Sequence, residues 1–196
     1  MSYTLDSLSD NCYEGTTCLV NKLDIRDEKL LNEIEADITF AKASLLEKEP
    51  INGKFDFDHY KAIHQFLFSD LFDWAGQIRT VNISKKGTSF VSHEKIEKIG
   101  ELCLSKISNG YLDNISHGEF AKRIAELYHD INMLHPFREG NGRTQRIFFA
   151  QLIRYYGYDI DFSEIDFDYL MFATIRAANG VMDFLNEVFS DAIKTR

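Results

Sequence analysis

His135-Pro136-Phe137-Arg138-Glu139-Gly140-Asn141-Gly142-Arg143-Thr144-Gln145-Arg146 places a base, a carboxylate, two glycines and spaced cations between two segments of helical periodicity. These are the parts needed to hold a metal polyphosphate and attack it. Upstream, Phe120, Ile124, Leu127 and Ile131 recur at helical spacing behind a capping-box-like Ser116-His117-Gly118-Glu119. Downstream, residues 143–156 are apolar on most sides after the first turn, with Ile147, Phe148, Phe149, Leu152 and Ile153. That pattern predicts a central buried helix ending at Gly157.

The rest of the chain is also read as mainly helical, and only two prolines interrupt it. Leu30, Ile34, Ile38, Ala41 and Leu45 predict an amphipathic helix that stops before Pro50, and a second helix is expected from Asp58 to Phe72. Ile96, Ile99, Cys103 and Ile107 repeat the pattern, and two more helices are expected after Ser163 and from Val181 to Ile193, separated by Asn179-Gly180. One region departs from this spacing. The β-branched run from Ile78 to Ser84, a turn at Lys85-Lys86-Gly87 and a short run from Thr88 to Val91 read as a β-hairpin on a helical body. A hairpin edge can bind an extended segment of another protein by strand addition, or it can simply cover the core.

Within the loop, Pro136 disfavours helical geometry at His135, whose imidazole would titrate near neutrality and accept a proton from a hydroxyl. The plain alternative is a capping or packing histidine. Glu139 beside two glycines can hold a hard cation against phosphate, and its plain alternative is a solvated loop glutamate. Gly140 and Gly142 allow close backbone approach, and the following helix offers free N–H groups to an anion. Asn141 between them is expected to adopt a left-handed conformation or to donate its amide to a phosphate oxygen. Arg143 and Arg146 share a face at a helix N-terminus, where each opposes the helix dipole by roughly 0.3 to 1 kcal/mol until an anion binds. Phe137 is read as the loop's anchor in the core.

Composition limits the alternatives. With 196 residues the chain suits one domain, and a net charge of -9 argues against a general nucleic-acid binder. Three cysteines, Cys12, Cys18 and Cys103, form neither a disulfide framework nor a zinc pattern, which favours a reducing cytosol. No run approaches the ~20 apolar residues of a membrane span, so no membrane partner is expected. Delivery by a secretion system that reads other signals stays open.

The motif His135-x-Phe137-x-Glu139-Gly140-Asn141-Gly142-Arg143-x-x-Arg146 resembles the signature of the Fic family. Ala62-Ile63-His64-Gln65-Phe66-Leu67-Phe68 and Asp73-Trp74-Ala75-Gly76-Gln77-Ile78-Arg79 are similar to the family's approach to its β-hairpin flap, and Asn21 to Asp27 extends the likeness over the whole chain. The resemblance implies a Fic-like helical bundle over residues 1–196, with an N-terminal helical extension (1–50), a flap (78–92) and a catalytic loop (135–146). It implies a protein adenylyltransferase that moves AMP from ATP to a Ser, Thr or Tyr hydroxyl of a target protein.

On that resemblance, His135 is the general base and Glu139 holds Mg²⁺. The backbone of Gly140, Asn141 and Gly142 forms the anion hole, Arg143 binds the inner phosphates and Arg146 the γ-phosphate, with Thr144 and Gln145 beside them. Asn132, Arg176 and Asn179 are candidates for the adenine pocket, and Lys85, Gly87, Thr88 and Phe90 for target contacts on the flap. Many relatives carry an inhibitory helix, Ser/Thr-x-x-x-Glu-Gly/Asn, but no glutamate of this chain has Ser or Thr four residues before it. The resemblance therefore implies a separate small antitoxin-like partner and a possible toxin. Other readings are UMP, phosphoryl or phosphocholine transfer on the same scaffold, or a non-catalytic nucleotide-regulated binding module. Gly142 stands where the phosphorylating branch has lysine, which favours AMP transfer.

Overall fold

A computed structural model describes residues 4–5, 11–85 and 87–196. Within them lie seven α-helices: α1 (Glu28–Lys48), α2 (Phe57–Phe68), α3 (Ile96–Ser108), α4 (His117–Leu134), α5 (Asn141–Tyr155), α6 (Phe167–Ala178) and α7 (Asp183–Ala192). The mainly helical expectation holds, with a small antiparallel hairpin. Polar side chains set several helix starts: Asp27, Asp56, Ser116 and Asp166 each accept a first-turn backbone N–H.

Helix α5 runs through the middle, with α2 on one side and α4 on another, and α4 also packs against α3, α6 and α7. Phe148, Phe149, Leu152 and Ile153 of α5 are fully buried, as are Tyr60, Ile63 and Leu67 of α2 and Ile124 and Leu127 of α4. Each such side chain contributes about 1.5 to 3 kcal/mol by leaving water. Phe137 is fully buried too and stacks on Tyr60 (centroids 5.6 Å apart), so the loop between α4 and α5 is fastened to the core beneath it.

Two expectations shift. Helix α2 ends at Phe68 rather than Phe72, because the chain folds back through Gly76 (φ +80°), whose N–H donates to Nδ1 of His64 in α2. Helix α1 is rotated from its predicted face: Leu30 and Leu45 are exposed, whereas Leu31, Glu35, Thr39 and Leu46 are buried. The buried polar pair faces the site described below.

The hairpin is shorter than the sequence suggested. Strand β2 (Ile83–Lys85) pairs with β3 (Thr88–Ser89) around a turn that contains Gly87 (φ +80°). An earlier strand, β1 (Thr4–Leu5), pairs with the other edge of β2, matching Thr4 to Ser84 and Leu5 to Ile83. Thus β2 is central in the order β1-β2-β3, and its edge is not open as the sequence had suggested. Residues 78–82 are not strand, because Arg79 is drawn inward instead. A second small sheet, unforeseen, joins β4 (Tyr158–Asp159) to β5 (Lys194–Thr195).

Candidate active site

The loop between α4 and α5 opens into a cavity of about 820 Å³ lined by the flap, by α1, by α6 and by the start of α5. His135 closes α4 as its C-cap in the left-handed region (φ 42°, ψ 61°). A helical continuation is disfavoured before Pro136, and the left-handed turn swings the imidazole out of the α4 ladder. His135 Nδ1 lies 3.2 Å from the Asn132 carbonyl oxygen, which can only accept. The ring therefore carries its proton on Nδ1 and keeps a lone pair on Nε2.

His135 lines the cavity yet is only 8% exposed, and Phe90 stacks over its ring at 3.8 Å. Burial lowers its pKa to about 3; the Asn132 hydrogen bond opposes this, and the charges of Lys85 and Arg79 add to it. The expectation of titration near neutrality is corrected: burial keeps the imidazole neutral well below pH 6, which is the form a base requires.

Arg79, to which the sequence assigned no role, ties the loop to the flap. It is 4% exposed, its Nε donates to the His135 carbonyl and its Nη1 to that of Val81, while its backbone N–H donates to the Pro136 carbonyl. Burial depresses its pKa to about 10. Val91 N–H also donates to the Met133 carbonyl, so the base of the flap is fixed to the end of α4. His64 was likewise quoted without a function. It is fully buried, stacked on Phe137 at 3.7 Å, and its Nε2 lies 3.1 Å from the Glu139 carbonyl oxygen.

Gly140 has φ +79°, and a Cβ there would sit 2.3 Å from the Phe68 ring, so both conformation and space demand glycine. Gly142 differs: it lies within α5 at an ordinary helical φ, and a Cβ would meet only Arg146, at 3.4 Å. Asn141 is helical, and its side chain faces inward, accepting from the Phe137 N–H (2.9 Å) and donating to the Phe137 carbonyl (2.8 Å). The amide staples the loop and is not offered to phosphate. The leading N–H groups of an α-helix have no partner within it, and Gly140, Gly142 and Arg143 at the start of α5 line the cavity.

Arg143 and Arg146 both line the cavity. The Arg143 guanidinium donates to Glu35 and, at 3.1 Å, to Thr39 Oγ1, and it lies over the Phe68 ring. Glu35 is 5% exposed; burial pushes its carboxyl pKa up, against the pull of Arg143. Arg146 has no carboxylate within 4 Å among the described residues and lies over the Phe167 ring, 6.0 Å from its centroid. Glu139 lines the cavity; its Oε1 accepts the Gly140 N–H and stands 3.9 Å from Arg143. No group of three or more His, Cys, Asp or Glu able to hold a metal exists among the described residues. Glu28, Glu35 and Glu139 line the cavity, and of these Glu139 directly precedes the N-terminal end of α5.

Of the other expected residues, Asn132, Gln145, Lys85, Thr88 and Phe90 line the cavity. The Gln145 amide donates to the Tyr128 carbonyl, and Thr144 is buried with its hydroxyl on the Gly140 carbonyl. Gly87 forms the flap turn away from the cavity lining. Arg176 and Asn179 are exposed and do not line it; Arg176 lies over Phe184 instead. The opposite face of α6 does so, through Leu170, Met171, Thr174, Ile175 and Ala178, an apolar wall suited to a flat ring. Their spacing of three to four was a legible signal that the choice of polar residues overlooked.

Residues 54–153 match the sequence model of the Fic/DOC family. A probable protein adenylyltransferase Fic of Escherichia coli is 35% identical over 92% of this chain and 90% of its own length. Protein adenylyltransferase VbhT of Bartonella schoenbuchensis is also 35% identical, and the chain spans 36% of its length. Among solved structures, BepC of Bartonella tribocorum with bound AMPPNP superposes with a TM-score of 0.88 at 30% identity, covering 95% of this chain and 97% of that one. A Fic domain from Bartonella quintana with bound ADP gives 0.89 at 30% identity, covering 95% of each chain. Matched by the family model over its central hundred residues, and by a relative over nearly the whole length of both, this chain belongs to the Fic/DOC family.

Proposed function

We propose that this chain is a protein adenylyltransferase that transfers AMP from ATP to a hydroxyl of a target protein. The observation that carries the reading is the neutral His135, its Nδ1 proton engaged by Asn132, in the same cavity as the α5 N-terminus and two arginines. The target hydroxyl oxygen attacks the α-phosphorus in line and its proton passes to His135 Nε2. A new P–O bond forms as the bond from the α-phosphorus to the bridging oxygen breaks, and pyrophosphate leaves. Positioning and charge neutralisation supply most of the acceleration.

The backbone at Asn141 and Gly142 would cradle the phosphates, the Gly140 N–H being held by Glu139 Oε1, with Arg143 on the inner phosphates and Arg146 at the γ-phosphate. The apolar face of α6 receives the adenine. Glu139 would hold Mg²⁺, which commonly takes one or two carboxylates with phosphate oxygens and waters, so this carboxylate beside the α5 N-terminus fits while Glu35 stays engaged by Arg143. When bound, the ion neutralises charge on the polyphosphate.

An extended target segment would lie against the flap with its hydroxyl toward His135. Because β1 already covers one edge of β2, the target either displaces Thr4–Leu5 or uses the outer edge of β3. A separate small inhibitor is supported by Arg146, which no carboxylate of the described residues engages and which an incoming glutamate could neutralise. No helix of the described residues is long and apolar enough to cross a membrane.

The test is incubation of the protein with a bacterial lysate, Mg²⁺ and ATP labelled at the α- or γ-phosphate, beside His135→Ala. Protein labelling from the α position alone, lost in the variant, is expected. Labelling from the γ position would replace the reading with phosphoryl transfer. A biological effect undiminished in His135→Ala would replace it with a binding module.

A further inference from the structure

Helix α1 lies far from the catalytic motif in sequence, yet it puts two adjacent polar side chains against Arg143. Glu35 and Thr39 are four residues apart and so share one face of the helix, where they are 5% and 3% exposed. Thr39 Oγ1 donates to the Glu35 backbone carbonyl at 2.7 Å and accepts from Arg143 Nη1 at 3.1 Å. The Glu35 carboxylate accepts from Arg143 Nη2. The two Nη atoms of the guanidinium are thus gripped from one side, while Arg143 still lines the cavity on the other.

Burying a carboxylate and a hydroxyl on an otherwise apolar helix face is costly unless both are bonded, and here the bonds converge on one guanidinium. Arg143 also sits in the first turn of α5, where the helix dipole opposes its charge; Glu35 offsets that opposition. The guanidinium also lies over the Phe68 ring, 4.9 Å from its centroid. By contrast Arg146, one turn further on, lies over the Phe167 ring at 6.0 Å and has no carboxylate within 4 Å among the described residues. One cation of the pair is held in place; the other is not fixed by any carboxylate among the described residues.

We propose that Glu35 and Thr39 are positioning residues for the nucleotide, holding the Arg143 guanidinium in the orientation in which its remaining N–H donors meet the phosphates. Neither touches the reacting atoms. A long flexible side chain that must otherwise be ordered when the phosphates arrive is already ordered in the empty site, which favours binding by lowering its entropic cost. The inference rests on the nucleotide-transfer reading above.

The test measures binding of ATP with Mg²⁺, and separately of adenosine, by calorimetry on Glu35→Ala, Thr39→Val, Arg143→Ala and the double variant Glu35→Ala/Arg143→Ala. Thr39→Val preserves shape, so it keeps the test open if Glu35→Ala folds poorly. Expected is a loss of ATP affinity of about tenfold in Glu35→Ala and a smaller loss in Thr39→Val, with adenosine unchanged. Glu35→Gln, which keeps an acceptor, should recover part of the loss. Removing Glu35 in the Arg143→Ala background should cost nothing more. Unchanged or tighter ATP binding in the single variants, an equal loss for adenosine, or additive losses in the double variant would each overturn the proposal. Absence of ATP binding by the unaltered protein would instead remove the nucleotide reading beneath it.

Discussion

His64 joins two parts of the site that are distant in sequence: its Nδ1 accepts the Gly76 N–H at 2.8 Å, and its Nε2 donates to the Glu139 carbonyl at 3.1 Å. The first bond fixes the tautomer, because a nitrogen that accepts an N–H cannot carry a proton. The approach to the flap and the carboxylate loop are thereby held at opposite ends of one buried ring.

Replacing His64 with alanine should remove both bonds, unstack Phe137 and leave a cavity. The expected loss is about 2 to 5 kcal/mol in urea denaturation, with nucleotide binding weakened because the loop loses its tether. A loss below about 1 kcal/mol would show that the ring is a spacer.

Stability should fall as the medium is acidified. Burial lowers the pKa of both His64 and His135 from 6.5 to about 3. Between those values the unfolded chain binds more protons than the folded one, so stability is full above about pH 6.5 and declines as pH drops toward 3. Each residue contributes up to about 1.4 kcal/mol per pH unit in that window. Urea midpoints at pH 7.5 and pH 5 measure it, and equal midpoints would contradict the assignment. By the same logic the transfer rate should show no acid limb near pH 6.5 from His135.

The two loop glycines should respond differently to alanine. Gly140→Ala meets a left-handed cost of roughly 1 to 2 kcal/mol as well as the Phe68 ring, and a lowered melting temperature with little nucleotide binding is expected. Gly142→Ala sits at a helical φ and should keep or raise the melting temperature, since alanine exceeds glycine in helix propensity by about 1 kcal/mol. Equal destabilisation by both would mean that the backbone at Gly142 is also constrained.

Substituting Arg146 by alanine should weaken ATP binding more than ADP binding if it meets the γ-phosphate. Competition titrations of the two nucleotides give the ratio; an unchanged ratio would move Arg146 to another phosphate.

Deleting residues 1–10 uncovers the β2 edge that Thr4–Leu5 occupies. Target labelling should then rise several-fold, provided that the target pairs with that edge. An unchanged rate would place the target on the outer edge of β3.

The helical bundle was legible because apolar spacing and the capping box at Ser116 act locally. The motif disclosed the loop for the same reason, since the tight turn at Gly140 and the residues on either side of it are close in sequence. Long-range partners were not legible. Glu35 reads as one more charge on a helix, and only folding sets it against Arg143. Arg79 and His64 lay inside a quoted stretch, but nothing in that stretch shows that their side chains turn inward to bind carbonyl oxygens. Polar preference drew attention to Arg176, whereas the cavity is walled by the apolar side of the same helix.

The left-handed backbone of His135 sets activity and durability against each other in the history of such a chain. A side chain other than glycine or asparagine gives up roughly 1 to 2 kcal/mol in that conformation, and the neighbouring Arg79 bonds must sustain it. Drift to glycine at this position would relax the main chain while removing the proposed base. Inactive descendants would therefore tend to be sturdier than active ones, and histidine would persist there only where the chemistry itself is under selection.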